Sequence, residues 1–219
     1  MKNNVWLIII FCLVSHVSNA QIIERKGIWD YPGKKGLWDY PVKPGMEKWK
    51  QFKSNEEMVQ ACQIPEEVLS SLSTEDLTDL CLRYPLLTDF FAFENTNTGL
   101  DKLFNDFNGI RELYKRSDMS SSLTKRYVEK IQSFSFLNEK NSDLEKGFFI
   151  ITVSTLEVLM SRIVLQDGEG KESAKEILQN LVTGYQEKWK YSDYFNGIGF
   201  RTNFFARGYM IAKICEPML

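Results

Sequence analysis

The sequence predicts an all-α fold, a single domain of about seven to nine short packed helices preceded by an extended tail. Three observations support this prediction. Helix-capping residues recur just before segments whose apolar residues are three and four positions apart. No alternating hairpin pattern occurs along the chain. Proline and glycine concentrate ahead of residue 46. We therefore divide the chain into a signal peptide (1–20), a tail rich in proline, glycine and aromatic residues (21–45) and an all-helical domain (46–219).

The segment Met1–Ala20 has the pattern of a secretory signal peptide. Lys2 precedes the apolar run Val5–Val14, and Ser18-Asn19-Ala20 is typical of a cleavage site between small residues. The run of about ten residues is too short to span a bilayer. We expect an exported protein, periplasmic or extracellular, with no transmembrane segment in the mature chain.

Cleavage after Ala20 changes the chemistry that the mature chain can perform. It removes the single histidine, His16, and one of the four cysteines, Cys12. Serine–histidine and cysteine–histidine nucleophile systems are then excluded. Removing Lys2 leaves 26 Lys and Arg against 29 Asp and Glu, a net charge of −3. The mature chain therefore lacks the excess of basic residues that is typical of proteins that bind nucleic acid. The remaining cysteines lack zinc-ligand spacing, so we expect no metal and no cofactor.

Capping signals set the predicted helix starts of the domain. Ser54, Pro65 and Ser73 each begin a short helix. Further helices are predicted over about 99–107, 109–115, 118–131, 143–165, 171–190 and 200–215. Composition alone also allows a strand over 148–153. The length of this segment and the preceding Ser142 favour one long central helix.

The tail contains a near-exact repeat at an offset of nine residues. Gly27–Pro32 reads Gly-Ile-Trp-Asp-Tyr-Pro, and Gly36–Pro41 reads Gly-Leu-Trp-Asp-Tyr-Pro. Tryptophan and tyrosine dominate binding hot spots. The predicted binding residues are therefore the exposed rings of Trp29, Tyr31, Trp38 and Tyr40. In the alternative interpretation the tail folds back and covers the helical body, which requires no partner.

Glu157 is the candidate catalytic residue. On a helix it shares one face with four apolar residues, Ile150, Val153, Met160 and Val164. Burial there raises the pKa of a carboxyl group and makes a general acid. The alternatives are a buried ion pair with an arginine such as Arg201 or Arg207, or a helix rotated so that Glu157 faces water. A glycosidase also requires a second carboxylate, and nothing in the sequence selects one.

The mature chain keeps Cys62, Cys81 and Cys215. Outside the cytoplasm a pair of cysteines tends to oxidise. The segment between Cys62 and Cys81 is short and reads as one helix–turn–helix unit, so we expect these two residues to form a disulfide. The alternative is that all three are small buried residues without a bridge.

Five motifs resemble a family of uncharacterised exported proteins of Gram-negative anaerobes from the gut and mouth. They are Tyr40–Gly45, Trp49–Phe52, Ala61–Pro65, Cys81–Pro85 and Phe107–Gly109. The resemblance covers about residues 40–130 and implies a secreted helical protein in which Cys62 and Cys81 are paired. The resemblance implies no enzymatic activity or ligand, because the family is uncharacterised. The copy Gly27–Pro32 looks like an addition peculiar to this chain.

These observations predict an exported helical binding protein of unknown protein or glycan ligand, without catalysis. The alternative function is an extracytoplasmic hydrolase that acts through carboxylates on glycan or peptidoglycan, with Glu157 as the acid. A structural component of the cell envelope is a third hypothesis. Whether the protein is an enzyme stays open at this point.

Overall fold

The described residues of the protein, in a computed structural model, are 36–163, 171–195 and 197–215. They form only helices, turns and connections, and none of them lies in a strand. The α-helices are α1 (Asn55–Ala61), α2 (Glu66–Ser71), α3 (Thr74–Leu82), α4 (Thr96–Asp106), α5 (Asn108–Leu113), α6 (Met119–Gln132), α7 (Asp143–Ser161), α8 (Lys171–Trp189) and α9 (Ile198–Cys215). Short 3-10 helices occur at Trp49–Gln51, Leu87–Ala92 and Phe134–Asn138. The predicted all-α class is confirmed, whereas the signal peptide, Trp29 and Tyr31 lie outside the described residues.

Serine side chains begin three of the predicted helices. Ser54, Ser73 and Ser142 each accept a hydrogen bond from the backbone N–H three residues later. At Ser142 the side chain of Glu145 bonds back to the cap backbone, which completes a capping box. Pro65 is the residue before α2 rather than its first residue. Local caps thus fix where these helices start, as the sequence indicates.

α7 is the central helix of the fold. Every residue from Thr152 to Ser161 is buried, because other helices cover the C-terminal part of α7 on all sides. α6 and α9 pack along α7, and α8 pairs with α9. In length and hydropathy, none of the described helices reaches what a membrane crossing requires, α7 included. The 148–153 segment is helical, so the strand alternative is wrong.

The N-terminal helices are continuous with this core. α3 packs on α5 and α6, while α4 packs on the 3-10 helix Leu87–Ala92, on α5 and on α7. One hydrophobic cluster extends from Tyr40 to Met210. The packed body therefore begins before Met46, within the second copy of the repeat.

The structure contains no bridge between Cys62 and Cys81, which corrects the expected disulfide. Both side chains are free thiols with no exposed surface. Burial raises the pKa of Cys62 to about 12 and raises the pKa of Cys81 well above its usual value. They behave as small apolar residues of the core. Cys215 is also a free thiol but is exposed.

Candidate functional site

Glu157 lies in the middle of α7, and its side chain has no exposed surface. Three other helices place polar side chains around it: α6 supplies Tyr127, α8 supplies Lys188, and α9 supplies Thr202 and Asn203. We call these five residues the Glu157 cluster. All of them are buried, so the cluster is enclosed by the helices that form it.

Lys188 is the counter-ion of Glu157. Its Nζ atom lies 2.6 Å from Oε1 and 2.8 Å from Oε2 of the carboxylate. The same ammonium donates to the backbone carbonyl of Gly199 at 2.6 Å. An ammonium group has three protons, and these contacts provide three acceptors. Phe195 covers the ammonium, with its ring centroid 5.1 Å from Nζ.

Neutral donors complete the coordination of the carboxylate. The Tyr127 hydroxyl donates to Oε1 at 2.7 Å, and the Asn203 amide donates to the same oxygen at 2.8 Å. Oε2 accepts from the Thr202 hydroxyl at 2.6 Å. With Lys188, both oxygens have at least two donors, which compensates for much of the cost of burying the charge. The Asn203 amide nitrogen also lies 3.0 Å from the carbonyl of Leu181, which ties α9 to α8.

Burial sets the protonation chemistry of two members of the cluster. It lowers the pKa of the Lys188 ammonium, and the adjacent Glu157 carboxylate opposes this shift. The pKa of Tyr127 is raised well above its usual value by burial and by the Glu157 charge, so its phenol remains a donor. The arrangement holds α6, α7, α8 and α9 together and offers a substrate no exposed atom of Glu157.

The buried ion pair was one of the alternatives for Glu157, but its partner differs from the expected one. Arg201 is exposed, and the Arg207 guanidinium stacks 4.2 Å from the ring centroid of Tyr185. The sequence analysis did not name Lys188, although the spacing of buried residues on α8 could have identified it. Lys188 falls at intervals of three and four residues on the buried stripe of α8, after Ala174, Ile177, Leu181 and Gly184.

The second copy of the repeat is docked on the helical body. Tyr40 is buried, and its hydroxyl donates to the carbonyl of Leu80 at 2.9 Å. Its ring lies against Tyr84 and Phe107, which stack on each other with centroids 3.9 Å apart. Trp38 packs edge-on against Tyr40 at 5.0 Å. The expectation of an exposed Tyr40 ring is therefore wrong, and Trp38 is half-buried.

Asp39 gives the docked copy an ionic anchor. Its carboxylate lies 3.0 Å from the Arg83 guanidinium and also pairs with Lys43. The backbone of the copy starts at Gly36 with a φ of +89°, a conformation that favours glycine. The body residues that receive the copy are Leu80, Arg83, Tyr84 and Phe107, which we call the socket.

Large apolar side chains are exposed along α8 and α9. Trp189, Phe204 and Ile211 are 58%, 73% and 51% exposed. The Trp189 ring lies 5.0 Å from that of Phe200, and Phe200 lies 5.7 Å from Tyr185. We call these five residues the aromatic face. Sequence reasoning missed it, because α9 carries apolar residues on several sides and its outer side could not be selected.

Comparison of the chain with protein-family models, with curated proteins and with solved structures finds no match.

Proposed function

We propose that the protein is an exported, non-catalytic binding protein that recognises its partner through the aromatic face. The observation that carries the proposal is the exposure of Trp189, Phe204 and Ile211. Contiguous apolar side chains at this exposure mark interaction sites in soluble proteins. The signal-peptide pattern of residues 1–20 supports export.

The aromatic face is continuous across two helices. On α9, Phe200, Phe204 and Ile211 lie four and seven residues apart, so they share one side of the helix. On α8, Tyr185 and Trp189 are four residues apart. The ring contacts of Phe200 with both of these residues join the two stripes into one surface. Tryptophan and tyrosine offer large contact area at a low entropy cost.

The charge of α9 favours one kind of partner. Arg207 stacks on Tyr185 of the aromatic face, Arg201 is exposed next to Phe200, and the helix has no acidic residue, in a chain whose net charge is −2. Charge complementarity then favours a partner that carries acidic groups beside an apolar or planar surface. An acidic protein segment and an acidic glycan both fit this description.

The geometry of Glu157 does not support the alternative hydrolase. A general acid must come within hydrogen-bond reach of the bond that it protonates. Glu157 has no exposed surface, and Lys188, Tyr127, Asn203 and Thr202 surround its oxygens. We therefore assign the cluster to the stability of the fold.

Site-specific photo-crosslinking tests the proposal. The mature protein carries benzoylphenylalanine at position 204, on the aromatic face, or at position 46, where Met46 is 43% exposed and lies outside the face. After irradiation with cell-envelope extract and with acidic glycan, we expect a specific adduct from position 204 alone. Trp189→Ser should abolish this adduct, because the variant lacks the indole ring that contacts the partner. Trp189 is 58% exposed, so its replacement should change stability by only about 0.5 kcal/mol. Equal adducts from both positions would contradict the proposal.

A further inference from the structure

The contacts that hold the second copy of the repeat in the socket use residues that the first copy also has. Tyr40 donates to Leu80, Asp39 pairs with Arg83 and Lys43, and Trp38 packs on Tyr40. Nine residues earlier the chain has the same side chains, in the order Trp29, Asp30, Tyr31 and Lys34. The match extends beyond the six-residue motif to the lysine that pairs with the aspartate.

The backbone requirement is also repeated. Gly36 has a φ of +89°, which residues other than glycine rarely adopt, and the first copy has Gly27 at the corresponding position. Leu37 corresponds to Ile28, an apolar residue of the same size. The first copy therefore has a residue of the same type for each polar and aromatic side chain through which the second copy contacts the body.

One difference favours the second copy. Val42 is 1% exposed, and its counterpart is Gly33. Complete burial of a valine side chain stabilises a state enough to change an equilibrium about 10- to 150-fold. In any competition for the socket, burial of Val42 would therefore favour the second copy over the first.

We propose that the socket is a recognition site for the Trp-Asp-Tyr-Pro motif and that the first copy, Gly27–Pro32, is its alternative occupant within the same chain. Exchange of the copies moves the chain by nine residues through the socket. It releases Trp38, Asp39 and Tyr40 from the body while Leu80, Arg83, Tyr84 and Phe107 keep equivalent contacts.

A double-mutant cycle in the mature chain, residues 21–219, tests this exchange. Tyr31→Ala alone should change the unfolding equilibrium constant less than about 2-fold, because the first copy is then rarely docked. Tyr40→Ala should raise this constant about 10- to 150-fold, since the first copy takes over and only the valine advantage is lost. Tyr31→Ala added to Tyr40→Ala should raise the unfolding constant at least about 10-fold more.

A matched control separates the motif from the rest of the tail. Ile23→Ala lies outside both copies and should have no effect in either background. If Tyr31→Ala is equally neutral in both backgrounds, the proposal is overturned, because the first copy then never reaches the socket. Coupling that grows with protein concentration, with a dimer in light scattering, would also overturn it, since the competing copy would come from another molecule.

A second variant keeps the test usable if Tyr40→Ala fails to fold. Val42→Gly gives both copies the same residues at the discriminating position and should bring their occupancies to within a few-fold of each other. We then expect two sets of indole N–H signals for Trp29 and Trp38 in a 15N spectrum. A single set for each tryptophan would overturn the proposal.

Discussion

Replacing Lys188 by methionine is the most direct test of the Glu157 cluster. The substitution removes the cation while keeping a side chain of similar length. It leaves the Glu157 carboxylate buried with neutral donors only, and it leaves the Gly199 carbonyl without the ammonium that it accepts from at 2.6 Å. Breaking a buried ion pair by removing one partner costs about 3–5 kcal/mol. We expect Lys188→Met to lower the free energy of unfolding by this amount.

Lys190→Met is the matched control. Lys190 lies two residues further along and pairs with Glu187 at 2.6 Å, but its side chain is 65% exposed. Exposed ion pairs contribute about 0–1 kcal/mol to stability, so this variant should unfold at a urea concentration close to that of the native protein. Urea denaturation followed by circular dichroism measures both variants. A loss below about 1 kcal/mol for Lys188→Met would refute the reasoning, because the pair would then contribute no more than a surface contact.

Three further predictions follow from close packing and from the buried thiols. Gly184→Ala should destabilise the fold by about 1–3 kcal/mol in thermal unfolding, because its Cβ would lie 2.1 Å from the hydroxyl of Tyr127. In the control Gly208→Ala, the added Cβ meets nothing within 4 Å, so this variant should be neutral or stabilising. In a folded chain that lacks residues 1–20, Ellman's reagent at pH 8 should modify Cys215 alone, and in urea it should modify all three thiols; rapid labelling of Cys62 or Cys81 would contradict their burial. Because the folded pKa of Cys62 is raised to about 12, unfolded thiols ionise first, so stability should fall as the pH rises from about 9 towards 12, and Cys62→Ala should flatten that slope.

The helix starts could be predicted from the sequence because a cap is a local interaction. Ser73 and Ser142 bond to backbone groups only three residues away, so both partners are visible in a short stretch of sequence. The 3-10 helices at Trp49–Gln51, Leu87–Ala92 and Phe134–Asn138 lack a side-chain cap bond, and the sequence did not reveal them. Their formation depends on the packing of neighbouring helices.

The candidate sites depended more on distant partners. Burial of Glu157 follows from its apolar neighbours on α7, but its lysine comes from α8, 31 residues away. The spacing on α8 could have identified Lys188, but a basic residue in the last turn of a helix usually interacts with the last carbonyls of that helix. Thr202 and Asn203 gave no comparable signal, because α9 is apolar on several sides and its inward side is set by contact with α7. Docking of Tyr40 likewise requires the carbonyl of Leu80, 40 residues later.

The Glu157 cluster makes α9 a condition for closing the core. Asn203 bonds to Tyr127 across 76 residues, and α9 contributes it together with Thr202. Without α9, the Glu157 carboxylate and the Tyr127 phenol lose the hydrogen bonds that Thr202 and Asn203 make to them. We therefore expect the core to close only once α9 has been synthesised, because a buried carboxylate and phenol without their partners oppose close packing.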